Sequence, residues 1–260
     1  MNMSTALLNG IQSEWLKKKH TAATWLILAG AFFMPLLTLG IRMTQLDETR
    51  KENLLKPLWK MMHYRNWAAM GMFLMPMSII LFVSLITNME YKNNTWKQLH
   101  TTPQTFQVIF LSKYVVIFLM TMQLFLLFHV GIYVSAIIPS LLVKDVPFPS
   151  APFPLKDYTR AAMYFFVDCT PIIALQYLLG LRFKNFLVAI GCGFALLVIS
   201  LLALNWKYGY VVPYIYLPLG FRENRNIVGQ NVSRHWCAIA YFALITLVSY
   251  LLYINKEEKS

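Results

Sequence analysis

The chain is short of charge. Of its 260 residues only 13% are Asp, Glu, Lys or Arg, and 58% are hydrophobic. Soluble domains carry about 25% charged residues. With a mean hydropathy of +0.52, a water-soluble globular domain is excluded and an integral membrane protein is expected. Cysteine is scarce too. Cys169, Cys192 and Cys237 are odd in number and all fall in apolar stretches, so a disulfide framework is excluded and they read as small hydrophobes.

Several motifs are missing. No G-x-x-x-x-G-K-[ST] phosphate loop occurs, so the chain does not bind ATP by that route. H-E-x-x-H, C-x-x-C and G-x-S-x-G are also absent. His20, His63, His100, His129 and His235 are far apart and read as interfacial histidines, not metal ligands. Neither a catalytic constellation nor a metal site is expected. The formal net charge of +12 comes from basic residues scattered through the loops. That pattern suits anionic lipid headgroups and argues against a nucleic-acid partner.

What the chain does have is long apolar runs. Six approach or exceed the ~20 residues that cross a bilayer: 22–41, 67–87, 108–138, 158–181, 186–204 and 235–254. The expected fold is therefore an all-α membrane protein with six transmembrane helices in one domain, 1–260. The third run is overlong and should tilt or project. Continuous runs without period-two alternation speak against a barrel.

The segments between the runs are distinctive. Within 1–21, Leu7, Leu8, Ile11 and Trp15 share one helical face and Lys17, Lys18 and Lys19 follow, which predicts an amphipathic interfacial helix. In 42–66, Leu54, Leu55, Leu58, Met61 and Met62 recur at helical spacing, predicting a second interfacial helix with Pro57 at its start or at a kink. The proline-rich 139–157 should be an extended connector, and "RFKN" makes a tight turn between the fourth and fifth spans. In 205–234, "YGYVVPYIYLPLGF" is apolar but broken by Pro213, Pro218 and Gly220. It is expected to be an outer loop with a re-entrant or interfacial element. Lysine and arginine counts do not separate the two sides. The Lys17–Lys19 cluster before the first span orients the chain, with both termini cytoplasmic.

One polar stretch, 88–107, lies between the second and third spans. Thr102-Pro103 reads as a helix start, and "EYKNNTWKQLH" before it as a short polar helix with Trp96 and Leu99 on one side. Three polar residues fall inside spans: Asp168 in the fourth, His129 and Gln123 in the third. An ionised carboxylate there costs roughly 2.5–3.5 kcal/mol on insertion scales, so Asp168 should face protein or water. The three are assigned to a substrate path or to interhelical hydrogen bonds. Lys113 is expected to snorkel to the interface.

Taken together, "IQSEWLKKKHTAATWLI", "EYKNNTWKQLHTTPQTFQVIFLSKYV", the short turn after the fourth span and "YVVPYIYLPLGF" resemble the permease subunits of ABC-2-type exporters, in particular the compact six-span permeases related to lantibiotic-immunity transporters. The resemblance covers nearly the whole chain. It implies that 88–107 is a cytoplasmic coupling region docking into a separate ATPase subunit, with Glu90, Asn94, Thr95, Trp96, Lys97 and Leu99 at the docking positions. It further implies a permease dimer, identical or mixed, in a cell membrane. The chain itself would bear no cofactor, ATP and Mg being held by the partner. A membrane anchor or sensor subunit that carries no substrate is the competing expectation.

Overall fold

The computed structural model describes residues 3–19, 21–55, 57–92, 105–221 and 233–257, of which 90–92 and 256–257 by backbone alone. Most of the described residues are helical, with no strand among them. The helices are α1 (Met3–Lys18), α2 (Ala22–Thr44), α3 (Leu46–Leu54), α4 (Leu58–Ala69), α5 (Met75–Lys92), α6 (Phe106–Leu142), α7 (Leu155–Arg182), α8 (Phe186–Leu202), α9 (Tyr216–Leu219) and α10 (Arg234–Glu257). A π-turn, Met70–Leu74, joins α4 and α5 into one continuous rod. Six helices are long and apolar enough to cross a membrane: Ala22–Thr44, Leu58–Met89, Phe106–Leu142, Leu155–Arg182, Phe186–Asn205 and Arg234–Asn255.

The second spanning helix starts earlier than its sequence suggested. Pro57 caps α4, where its missing N–H costs nothing, and the helix then runs on through Lys60, His63 and Arg65. The interfacial helix expected around Leu54–Met62 is instead the end of α3 and the first turns of this rod. The π-turn has a local cause. Pro76, just beyond it, cannot donate to the carbonyl one turn back, and the Met75 N–H bonds to the carbonyl of Met70.

α2 and α6 run side by side in the same direction, as shown by the neighbours Gly30 and Leu124, Pro35 and Gly131, and Arg42 and Ala136. Gly131 permits this approach, because a Cβ there would lie 2.7 Å from the Pro35 ring. The core lies between α5, α6 and α7. One aromatic cluster joins Phe110, Tyr114 and Tyr177 to Tyr250 and Tyr253 of α10. A second surrounds Trp67, which is 2% exposed and meets His63, Phe125, His129, Tyr158 and Phe165. Such pairs are worth about 0.5–1.5 kcal/mol each beyond their buried area.

The proline-rich connector is irregular from 143 to 154 but is held in place. Asn53, fully buried, donates to the Pro147 carbonyl (2.7 Å) and its own carbonyl accepts from Ser150 N–H. Trp59 Nε1 donates to the Ala151 carbonyl. Arg42 bonds Glu52 and Asn53, tying the end of α2 to α3.

α1 packs lengthwise on α6. Its buried residues are Gly10, Glu14 and Lys18, four apart on one stripe. A Cβ at Gly10 would collide with Ser112 Oγ. Gly10→Ala should therefore loosen α1 at a cost of about 1–3 kcal/mol, read as a lower thermal midpoint in detergent. Ser112 Oγ is buried without a hydrogen-bond partner. Adding Ser112→Ala should recover most of the loss, and a double variant no better than Gly10→Ala would contradict this packing.

Candidate functional site

Two polar clusters and one network join helices far apart in sequence. The first lies where α1 meets α6. Glu14 is 8% exposed and accepts from Lys113 Nζ of α6 at 2.9 Å, with Lys17 on its other oxygen. One turn on, Lys18 donates to Gln123 Oε1 (2.7 Å) and sits 3.4 Å over the Trp15 ring. Lys113 therefore does not snorkel to the interface. It is 2% exposed because α1 brings a carboxylate to it. Burial pushes the Glu14 carboxyl up, but Lys113 and Lys17 together outweigh burial and hold it below its ordinary value. Burial also lowers the Lys18 ammonium to about 8.

The Glu14–Lys113 pair lies toward the end of the bundle where α5 finishes at Lys92 and α6 begins at Phe106, whereas Gln123 is near the middle of α6. The turn between α7 and α8 is at the same end, since Asn88 Nδ2 donates to the Lys184 carbonyl (2.8 Å). Asn94, Thr95, Trp96, Lys97 and Leu99 lie outside the described residues, as does the side chain of Glu90.

The second cluster lies about halfway along α7. Asp168, 2% exposed, accepts from Arg234 Nε (3.1 Å) and His235 Nδ1 (2.7 Å) at the start of α10. Tyr164 stacks on His235 at 4.4 Å. Asp168 is thirteen positions from Leu155 and fourteen from Arg182, so about 20 Å of helix lies on either side of it. Here a carboxylate needs a cation, and α10 supplies one.

The network is centred on Gln176, fully buried on α7. Its amide donates to Ser84 Oγ (2.7 Å) and the Ala189 carbonyl (3.0 Å), and its oxygen accepts from Tyr214 (2.8 Å). Tyr214 belongs to the segment between α8 and α9. Tyr214, Ile215, Tyr216 and Leu217 are all buried, so the segment folds back against α5, α7 and α8, and burial pushes both phenols up. Sequence reasoning missed Tyr214. The only signal was a tyrosine in an apolar, proline-broken loop, with Gln176 as the nearest intramembrane amide.

The three intramembrane residues singled out from sequence do not converge. Gln123 meets α1 and Asp168 meets α10. His129 Nδ1 donates to the Phe125 carbonyl (2.6 Å), and the ring packs edge-on to Trp67 and Tyr158. Among the described residues no group of His, Cys, Asp and Glu could hold a metal ion.

Six spanning helices, an amphipathic helix strapped to the third and polar joints between helices define a polytopic helical membrane protein. The family can be stated as well. A family model described as "ABC-2 family transporter protein" matches residues 10–200, and the chain belongs to that family. No curated protein matches the chain.

Glu14→Gln should cost about 3–5 kcal/mol, the scale of breaking a buried ion pair by removing one partner. Thermal unfolding in detergent should show the loss, and Glu14→Gln with Lys113→Met should be milder. Since the folded-state value for Glu14 is depressed, its contribution is present above the ordinary carboxylate range and disappears as pH falls through the lower folded value. A midpoint insensitive to acid would contradict the pair. Asp168→Asn should cost about 1.5–3 kcal/mol, the scale of hydrogen bonds to a charged group. Gln123→Leu, which removes the acceptor of the buried Lys18 ammonium, should cost on the same scale of about 1.5–3 kcal/mol.

Proposed function

We propose that this chain is the permease subunit of an ATP-driven exporter, moving a hydrophobic or amphipathic substrate while a separate ABC subunit hydrolyses ATP. The family match over residues 10–200 carries this reading. The lack of a phosphate loop anywhere in the sequence agrees with it. The chain would be non-catalytic, with ATP and Mg on the partner, and would pair with a second permease copy or a related chain in the cell membrane.

In this reading the end of the bundle carrying α1, Lys92, Phe106 and Lys184 is cytoplasmic, as are both termini. The ATPase grips 88–107 through Trp96 and Leu99, with Glu90, Asn94, Thr95 and Lys97 around them. A pull on that segment acts on two helices at once. Through α5 it reaches the α7–α8 turn, to which Asn88 is bonded. Through α6 it reaches α1, to which Lys113 is bonded. These joints make the pairs move together, so closure of the ATPases tilts a large part of the bundle. Asp168 and its partners then act as a latch between α7 and α10.

Trp96→Ala should leave the permease inserted and folded but weaken its hold on the ATPase by about 2 kcal/mol or more, the scale of an interface hot spot. Lys97→Ala should cost less. Pull-down of the ATPase with detergent-solubilised variants, alongside ATP hydrolysis, reads both. If no ATP-binding chain co-purifies with the wild type, the anchor or sensor reading takes precedence.

A further inference from the structure

One cavity takes no part in these joints. It lies on the flank of the bundle between α6 and the first turns of α7, and has a volume of about 560 Å³. That is within the ~300–1,000 Å³ range of sites that hold small ligands. Phe125, His129, Tyr133, Phe153 and Tyr158 form its aromatic walls, and none of its lining residues is Asp, Glu, Lys or Arg. An ionic head does not belong inside it.

The walls are preformed. Tyr133 stacks on Trp59 at 5.7 Å, and Phe153 meets the same indole edge-on at 4.9 Å. Phe153 belongs to the connector that Trp59 Nε1 pins at Ala151. Tyr158 is held by Trp67, whose Nε1 donates to its hydroxyl (3.3 Å). These rings cannot move in to fill the space without breaking those contacts. The outer edge is different. Leu126, Val130 and Leu155 line the cavity and are 55%, 58% and 65% exposed, on helices long and apolar enough to cross a membrane. The opening therefore faces the hydrocarbon.

Two polar features lie beside it, the first being Tyr158, level with His129 and so midway along the lining. The Tyr158 hydroxyl accepts from Trp67 and donates to nothing among the described residues, so one O–H is available to an ester or carbonyl oxygen. Tyr158 is three residues into α7, about 5 Å from the helix start. Exposed Lys156 follows Leu155 on the cavity rim, and Arg160 lies one turn further. With Asp157 the first turns of α7 are net positive.

We propose that this cavity binds one acyl chain of an anionic phospholipid from the surrounding leaflet, its ester oxygen at the Tyr158 hydroxyl and its phosphate beside Lys156. An apolar slot open to the bilayer core, an unused donor midway along it and basic residues next to the lining residue Leu155 match the order of chain, ester and phosphate in such a lipid. The proposal rests on the membrane-spanning fold and is independent of the exporter reading.

Trp59 and Trp67 are built-in reporters. The test uses the full chain with Trp15, Trp25, Trp96, Trp206 and Trp236 changed to Phe, in mixed micelles containing phosphatidylglycerol with brominated acyl chains. A variant retaining only Trp25, which is 74% exposed, is the reference for non-selective lipid contact. Quenching of Trp59 and Trp67 should rise several-fold more steeply with bromolipid fraction than quenching of Trp25. Ala162→Phe, which fills the cavity, should remove the excess. Lys156→Gln, on the rim, should abolish the preference for phosphatidylglycerol over brominated phosphatidylcholine while leaving the fold intact. Equal quenching of all reporters would overturn the proposal. So would equal quenching by a brominated detergent, which would mean that any apolar chain enters. A third overturning result is loss of a dimer on size exclusion in Ala162→Phe with quenching unchanged, which would make this face a contact between copies.

Discussion

Hydrocarbon offers no partner to a charge, so a carboxylate placed in this bundle must find its cation on another helix. That constraint organises the described chain. Glu14 takes Lys113 and holds α1 to α6. Asp168 takes Arg234 and His235 and holds α7 to α10. Outside the spans, the partly exposed Glu52 takes Arg42 and Arg65 and holds α3 to α2 and α4. Leu, Ile and Phe fill the space between helices but do not choose neighbours, because lipid tails are as apolar as they are. The pairs choose.

The six long helices were legible because length and apolarity are local properties. Partners were not, because pairing is a property of the folded chain. Asp168 stood out in the sequence as a costly group, yet nothing near it named Arg234, sixty-six positions away. Lys113 illustrates the opposite error. A lysine one turn or so into a span usually escapes to the interface, but here the Glu14 carboxylate of α1 meets it inside the bundle. The start of the second span was misplaced for a related reason. Lys60, His63 and Arg65 interrupt its hydropathy, but the rod runs on through them, with Arg65 paired to Glu52 and the His63 ring stacked on Trp67.

The ABC-2 membership and the placement of the polar joints fit together. On the proposed reading, a subunit driven from one end would need stiff connections at that end and adjustable ones deeper in. The Glu14–Lys113 pair is enclosed on both sides, whereas in the Asp168 cluster the Arg234 side chain is 33% exposed. The Gln176 amide, with both donors and its acceptor in use, fixes the tyrosine of the returning segment against three helices at once.

The π-turn at Met70–Leu74 bears on how this chain can vary. An extra residue within one turn offsets the angular phase of everything after it by about 100°. The stretch carrying His63 and Trp67 and the stretch carrying Ile79 and Val83 are thus indexed separately, each to its own neighbours. Gly71 sits at the seam, where a Cβ would strike the ring of Phe221 from the returning segment. The rod is a spliced shaft, and the splice is clamped by a residue contributed from the other half of the sequence. Substitutions upstream and downstream of it are therefore free to drift out of phase, while the seam itself is answerable to both.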